Sequence, residues 1–195
     1  PIALIAGGGT GGHLFPALAI GDGLQKIGYD VKYIGSKHGL ESKILSIKNK
    51  DYYLLDIKGL QRTFSFKNII SNILFPYKFL KAYNQSNKII KKLQPCIVIG
   101  TGGYASGIPL LASIKMNINT LIHEQNSYPG LTTRKLSKKV DKVCITNKES
   151  KKYLDGNIIE TGIPIRENLR KIDKQEALKK LDLSSNKKTI FIIGG

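Results

Sequence analysis

Short apolar runs alternate with amphipathic stretches along almost the whole chain. Ile2-Ala3-Leu4-Ile5-Ala6 comes first, and similar runs recur at 29–35, 52–57, 96–99, 120–122, 142–145 and 157–160. Each is three to seven residues long and rich in Ile, Val, Leu or Tyr, as expected of strands buried on both faces. Between them lie helical patterns: the stretch from Leu14 to about Ile27, 39–48, 66–93, 107–115, one starting near Gly130, and 147–154. In the longest of these, Phe66, Ile70, Ile73, Tyr77 and Leu80 follow a helical stripe, which predicts the core face. Pro76 falls inside that pattern and is expected to split or kink it. Phe75 and Phe79 then fall opposite the stripe, among Lys67, Lys78 and Lys81. Strand and helix in strict alternation predict an α/β fold, a Rossmann-like parallel sheet with helices on both faces.

After Arg166 the texture becomes polar, with one helical piece at 174–183. Thr189-Ile190-Phe191-Ile192-Ile193-Gly194-Gly195 then echoes the opening strand and glycines. The division expected is a Rossmann-like domain over 1–163, a linker and helix over 164–187, and the first strand of a truncated second domain over 188–195.

The apolar pattern contains no run of about 18 residues, the length of a membrane-spanning helix. The first apolar run is short and enters glycines, so no secretory signal is expected. The formal charge of +17, from 31 Lys and Arg against 14 Asp and Glu, suits an anionic membrane surface, nucleic acid or phosphate-bearing ligands. A genome biased towards A and T gives the same Ile-, Lys- and Asn-rich composition without functional meaning. No basic stripe interleaved with aromatics and no helix-turn-helix pattern favours nucleic acid. Cys96 and Cys144 each lie in an apolar run without a Cys or His companion, and are expected as buried free thiols in a reducing compartment.

Three loops follow predicted strands and should line one crevice at the carboxyl ends of the sheet. The first is Gly7-Gly8-Gly9-Thr10-Gly11-Gly12-His13. Strand, glycine loop and helix start together suit an anion, because the first N–H groups of a helix lack internal partners and face the positive end of its dipole. The loop is not a dinucleotide fingerprint, since Tyr33-Ile34-Gly35-Ser36 stands where a ribose-binding acid would be. It is not a P-loop either, for no Gly-Lys-Ser/Thr follows. Hydride-transfer and kinase chemistry are thereby disfavoured. His13, at the helix start, can cap it, shuttle a proton, or hydrogen-bond a phosphate or hydroxyl. The second loop is Gly100-Thr101-Gly102-Gly103-Tyr104-Ala105-Ser106, and the third His123-Glu124-Gln125-Asn126. Glu124 can serve as general base, hold a sugar hydroxyl, or cap the helix near Gly130. Asn126 offers donors and acceptors suited to a sugar or uracil edge. No Asp-x-Asp pair is present to hold a metal.

These motifs carry a resemblance. The run from Gly8 to Ala19, the loop 100–106 and the stretch 123–132 resemble, in order and spacing, the signatures of the family-28 glycosyltransferases that make lipid II in peptidoglycan synthesis. The resemblance implies the N-terminal, acceptor-binding half of a GT-B glycosyltransferase. It implies inverting, metal-independent transfer of N-acetylglucosamine from UDP-N-acetylglucosamine to lipid I, a polyprenyl-diphosphate acceptor, with no cofactor. His13 and Glu124 match residues proposed to act near the acceptor hydroxyl, and the resemblance leaves open which is the base. Thr10, Gly11, Gly12, Asn126 and Arg166 match positions that assist the donor, and Gly102, Gly103 and Tyr104 belong to the second diphosphate loop. One departure is Gly162-Ile163-Pro164-Ile165-Arg166, where the family usually has Asn before the proline. The resemblance also implies a peripheral place on the cytoplasmic face of the bacterial inner membrane. Phe75 and Phe79 with Lys78 and Lys81 match the chemistry of its attachment patch, apolar rings inserting while lysines meet anionic headgroups.

Overall fold

A computed structural model describes residues 1–59, 73–166, 172–190 and 192 of the chain. Its strands are β1 (Ile2–Ala6), β2 (Asp30–Ser36), β3 (Tyr52–Leu55), β4 (Ile97–Gly100), β5 (Asn119–Glu124), β6 (Lys142–Ile145) and β7 (Ile158–Glu160). They form one sheet in the order β3-β2-β1-β4-β5-β6-β7, and every neighbouring pair is parallel. The helices are α1 (Gly11–Lys26), α2 (Glu41–Ile47), α3 (Phe75–Leu93), α4 (Tyr104–Lys115), α5 (Leu131–Leu136) and α6 (Lys174–Lys180), with a 3-10 helix over Lys148–Tyr153.

The period of two along the strands divides the core. Leu4 and Ala6 of β1 pack with Ala82, Ile90, Ile108 and Leu110 of α3 and α4 on one face. Ile5, between them, packs with Leu14, Ala17 and Leu18 of α1 and Leu45 of α2 on the other. A strand covered on both faces has no polar side, which is why Ala3 to Ala6 read as an unbroken apolar run. From β1 the order runs one way to β2 and β3 and the other way to β4. The crevice beyond the carboxyl ends of β1 and β4 is therefore the switch point where such sheets bind ligands.

The longest helix departs from the sequence expectation. Ile73, Tyr77 and Leu80 are 71%, 68% and 59% exposed, whereas Phe75 and Phe79 pack against the core. The rings of Phe75, Phe79 and Tyr83 run in series, with centroids 6.1 and 6.4 Å apart. Ile73 is helical, Leu74 is a turn and α3 starts at Phe75, so the helical region is split just before Pro76 as expected, and Pro76 sits in the first turn, where a missing N–H costs nothing. The buried stripe is Phe75, Phe79, Ala82, Tyr83, Ser86 and Ile90, and it includes small residues that let α3 lie close against α4. Arg62, Phe66, Lys67 and Ile70 lie outside the described residues.

The cysteines also differ from expectation. Both are free, but Cys96 is exposed on the rim just before β4, its thiol 3.3 Å from the Ile2 carbonyl. Cys144 is only half-buried in β6, and burial pushes its thiol pKa up. At the C-terminal end, Asp173 caps α6 by accepting from the N–H groups of Gln175 and Glu176. Ile190 and Ile192 are exposed and in no strand, and Phe191 and Ile193, Gly194 and Gly195 lie outside the described residues. No helix among the described residues is long and apolar enough to cross a membrane.

Candidate functional site

The two glycine loops interlock. Thr101, just past β4, donates its N–H to the Ala6 carbonyl and its hydroxyl to the His13 carbonyl, at 2.9 and 2.8 Å. The Thr101 hydroxyl fills the space a side chain at Gly7 would need. A methyl at Gly103 would lie 2.9 Å from the Gly8 carbonyl and 3.1 Å from Cδ2 of His13. Gly102 and Gly103 have φ of +97° and +75°, so close approach and backbone conformation both require glycine there. α1 begins after Thr10 and α4 after Gly103, and neither has an acidic residue in its first turn or a side-chain cap. Both helix starts therefore face the crevice without a cap of their own.

Behind the first loop stands a residue the sequence reading passed over. Glu41, at the start of α2, is fully buried. Its Oε2 accepts from the Gly9 N–H at 2.7 Å and its Oε1 from the Ser36 N–H at 2.6 Å. Methyl groups built on Gly8, Gly35 or Gly39 would all run into this side chain. The carboxylate thus ties the first glycine loop to the end of β2. The Gly9 N–H is already used, and the anion-binding capacity of the loop falls to the helix start at Thr10, Gly11 and Gly12. The local signal for Glu41 was the pair of glycines shortly before it, Gly35 and Gly39, whose missing side chains make room for a buried acid.

Glu124 ends β5 and is 1% exposed. Its Oε1 accepts from the backbone and side-chain nitrogens of Asn126, at 3.1 and 2.8 Å, and its Oε2 from the Gly130 N–H at 3.1 Å. Both oxygens therefore hold the loop that leads to α5. His13, by contrast, is half-buried, with its ring across Gly102 and Gly103. Its Nδ1 lies 3.2 Å from Oε1 of Gln125, whose Nε2 reaches Nδ1 of His123 at 3.0 Å. His123 is buried, and burial pulls its pKa down, against the Gly162 carbonyl bond and the Glu124 charge that raise it.

Beside His13 an apolar cavity of about 580 Å³ extends away from the crevice. Gly103, Tyr104, Phe75, Phe79, Leu111 and Leu136 line it. Arg166 lies on the other flank, its guanidinium 4.5 Å from the centre of the Phe15 ring, and Phe15 in turn packs 3.1 Å from the methyl position of Gly11. The structure thus gathers Thr10, Gly11, Gly12, His13, Gly102, Gly103, Tyr104, Glu124 and Asn126 at one end of the sheet. Phe75 and Phe79 face inward, so a membrane patch at α3 has to be built from other side chains. Lys78 is half-buried and Lys81 exposed. Among the described residues no group of His, Cys, Asp and Glu is placed to hold a metal ion.

Comparison with known proteins bears on what this end of the sheet does. Residues 3–145 match the model of the glycosyltransferase family 28 N-terminal domain. Over 197 residues the chain is 41% identical to the UDP-N-acetylglucosamine–N-acetylmuramyl-(pentapeptide) pyrophosphoryl-undecaprenol N-acetylglucosamine transferase of Desulforamulus reducens, covering 99% of this chain and 52% of that protein. The protein of the same name from Finegoldia magna is also 41% identical, with 98% and 52% covered. The chain spans about half the length of these curated relatives. Among solved structures, MurG of Acinetobacter baumannii superposes with a TM-score of 0.70 at 31% identity, over 86% of this chain and 46% of that one.

Proposed function

The chain belongs to glycosyltransferase family 28, and from that premise we propose that it forms the acceptor-binding half of an enzyme that moves N-acetylglucosamine from UDP-N-acetylglucosamine to lipid I, giving lipid II. The observation that carries this reading is the meeting of three strand-end loops around His13, with two uncapped helix starts on one side and an apolar cavity on the other. A polyprenyl diphosphate needs that combination: backbone donors and dipoles for the diphosphate, and apolar walls for the first isoprene units.

In the reaction the acceptor hydroxyl attacks the anomeric carbon on the face opposite UDP. The new C–O bond forms as the bond to the UDP oxygen breaks, the electron pair leaves with the diphosphate, and the hydroxyl proton passes to a base. His13 is that base. It borders the cavity, whereas both oxygens of Glu124 are engaged in holding the Asn126-to-Gly130 loop. The charge on the departing diphosphate is met by helix starts and backbone N–H groups, which stabilise it as it develops. Arg166, and Asn126 where its amide is not spent on Glu124, assist the donor.

The same protein works at a membrane surface, and α3 is the element that meets it. Ile73, Leu74, Tyr77 and Leu80 are exposed beside Lys78 and Lys81, and the chain carries a large excess of positive charge. The decisive experiment is a transfer assay of the full-length protein with UDP-N-acetylglucosamine and a short-chain lipid I analogue. Formation of the β-linked disaccharide product supports the reading. No product, or preference for a sugar acceptor lacking the lipid diphosphate, overturns it.

A further inference from the structure

Behind His13 runs a chain of hydrogen bonds in which each link admits one assignment. His123 Nε2 lies 2.9 Å from the Gly162 carbonyl. A carbonyl only accepts, so Nε2 carries the proton. Burial keeps this imidazole neutral, and its Nδ1 is left with a lone pair that needs a donor. Gln125 supplies it: Nε2 of the amide is 3.0 Å from His123 Nδ1 and 2.9 Å from the His123 carbonyl, so both amide hydrogens are spent on His123. The amide then turns its oxygen to His13, at 3.2 Å from Nδ1, and an amide oxygen accepts only from an N–H. His13 must therefore carry its proton on Nδ1. In the neutral ring the lone pair is left on Nε2, at the end that lies over Gly103 on the cavity wall.

We propose that Gln125 is a positioning residue which, through His123 and the Gly162 carbonyl, sets the tautomer of His13 so that Nε2 is the atom that takes the acceptor's proton. The role in turnover rests on the reading of His13 as base; the tautomer does not. A free imidazole in water prefers its proton on Nε2, which would present a hydrogen to the acceptor hydroxyl instead of a lone pair, so the preference has to be reversed by what Nδ1 is bonded to. An amide serves this end, because it is uncharged and has one accepting and one donating end. It relays the fixed orientation of a backbone carbonyl across two rings without adding a charge beside the diphosphate site. The carbonyl belongs to Gly162, in the turn that leads to Arg166, so the state of the base is joined to the geometry of that turn.

The test starts with the full-length protein labelled with 15N-histidine, the His13 signals being assigned from the spectrum of His13→Asn. Nitrogen shifts and long-range proton couplings above the imidazole pKa give the tautomer directly. Wild-type His13 protonated on Nδ1 supports the proposal, and protonation on Nε2 overturns it. In Gln125→Met, which keeps the volume and removes the amide, His13 should move towards the Nε2-protonated form. Its kcat should drop on the order of 10²-fold with little change in KM for either substrate, the size of a lost acid–base contribution. An unchanged kcat, or a loss of activity with the His13 tautomer unaltered, means that Gln125 only supports the loop and overturns the proposal. Full activity in His13→Asn overturns the base reading itself, whatever the tautomer spectrum shows, so the two failures are told apart.

Discussion

Replacing Glu41 with Ala tests whether the first glycine loop owes its shape to a buried carboxylate. The substitution removes the acceptor of two backbone N–H groups, at 2.6 Å from Ser36 and 2.7 Å from Gly9. Ser36 is fully buried, so its N–H is left without water, and such a group bonded to a charge is worth about 1.5–3 kcal/mol. Gly9 is nearer the crevice and can rehydrate, so its share is smaller, about 1 kcal/mol. Removing the desolvated charge and gaining the helix propensity of Ala offset part of this. The net loss should be about 3 kcal/mol, which for a chain of this size lowers Tm by roughly 6–12 °C. A double-mutant cycle makes the reasoning specific. A methyl at Gly39 runs into Oε2 of Glu41, so Gly39→Ala should cost about 1–2 kcal/mol in the parent and nearly nothing in Glu41→Ala. Chemical denaturation of the four proteins, followed by circular dichroism, gives the coupling. A loss below about 1 kcal/mol for Glu41→Ala, or additive single effects, would refute the account.

Other expectations follow from single features. Tyr33→Phe should leave stability unchanged or raise it by up to about 1 kcal/mol in thermal unfolding. The Tyr33 hydroxyl is buried against Gly21 with no hydrogen-bond partner among the described residues, and burial pushes its pKa up. Gly103→Ala should cost about 1–3 kcal/mol and lower transfer activity, since the new methyl meets both the Gly8 carbonyl and the His13 ring at a φ of +75°; full activity would separate the second loop from the site. Asp141 accepts from the Thr120 N–H and hydroxyl, which hold its pKa down, so its contribution is present above the unfolded carboxylate pKa of about 3.9 and is lost as pH falls through the folded value. Asp141→Ala should then be less stable than the parent at pH 7, with the gap closing in acid titrations. Tyr77→Ser with Leu80→Ser should weaken sedimentation with anionic vesicles, whereas Phe79→Ala should mainly lower Tm; the reverse pattern would return the patch to the inner face of α3.

The sheet was legible because its central strands are buried on both faces and read as apolar runs whatever their neighbours. The crevice followed from that, since parallel strands put every strand-end loop at one end. The phase of α3 was not legible, because the helix starts afresh at Phe75 after a turn at Leu74, so a stripe counted across that break does not set its buried face. Its buried stripe also passes through Ala82 and Ser86, which a search for large apolar residues skips. Cys96 shows the same limit at a strand's entrance: the apolar run begins at Cys96, but the paired strand begins at Ile97, leaving the thiol on the rim.

The acids at the site show where sequence reading stops for a chemical reason. A carboxylate looks the same on paper whether it abstracts a proton or accepts from backbone nitrogens. Glu41 and Glu124 both do the latter: each is buried, and each has both oxygens engaged with loop N–H groups. A base so engaged would have to break bonds that hold the glycine loop or the Asn126-to-Gly130 loop at the moment the substrate needs them fixed. An imidazole has no such conflict. One nitrogen of His13 is held by Gln125 while the other remains for chemistry, so anchoring and proton transfer are divided between two atoms of one ring. On the proposed reading of His13 as base, that division leaves the two acids as scaffold and the histidine for proton transfer. On the same reading Gln125, neither acidic nor basic, carries more of the mechanism than its residue type suggests.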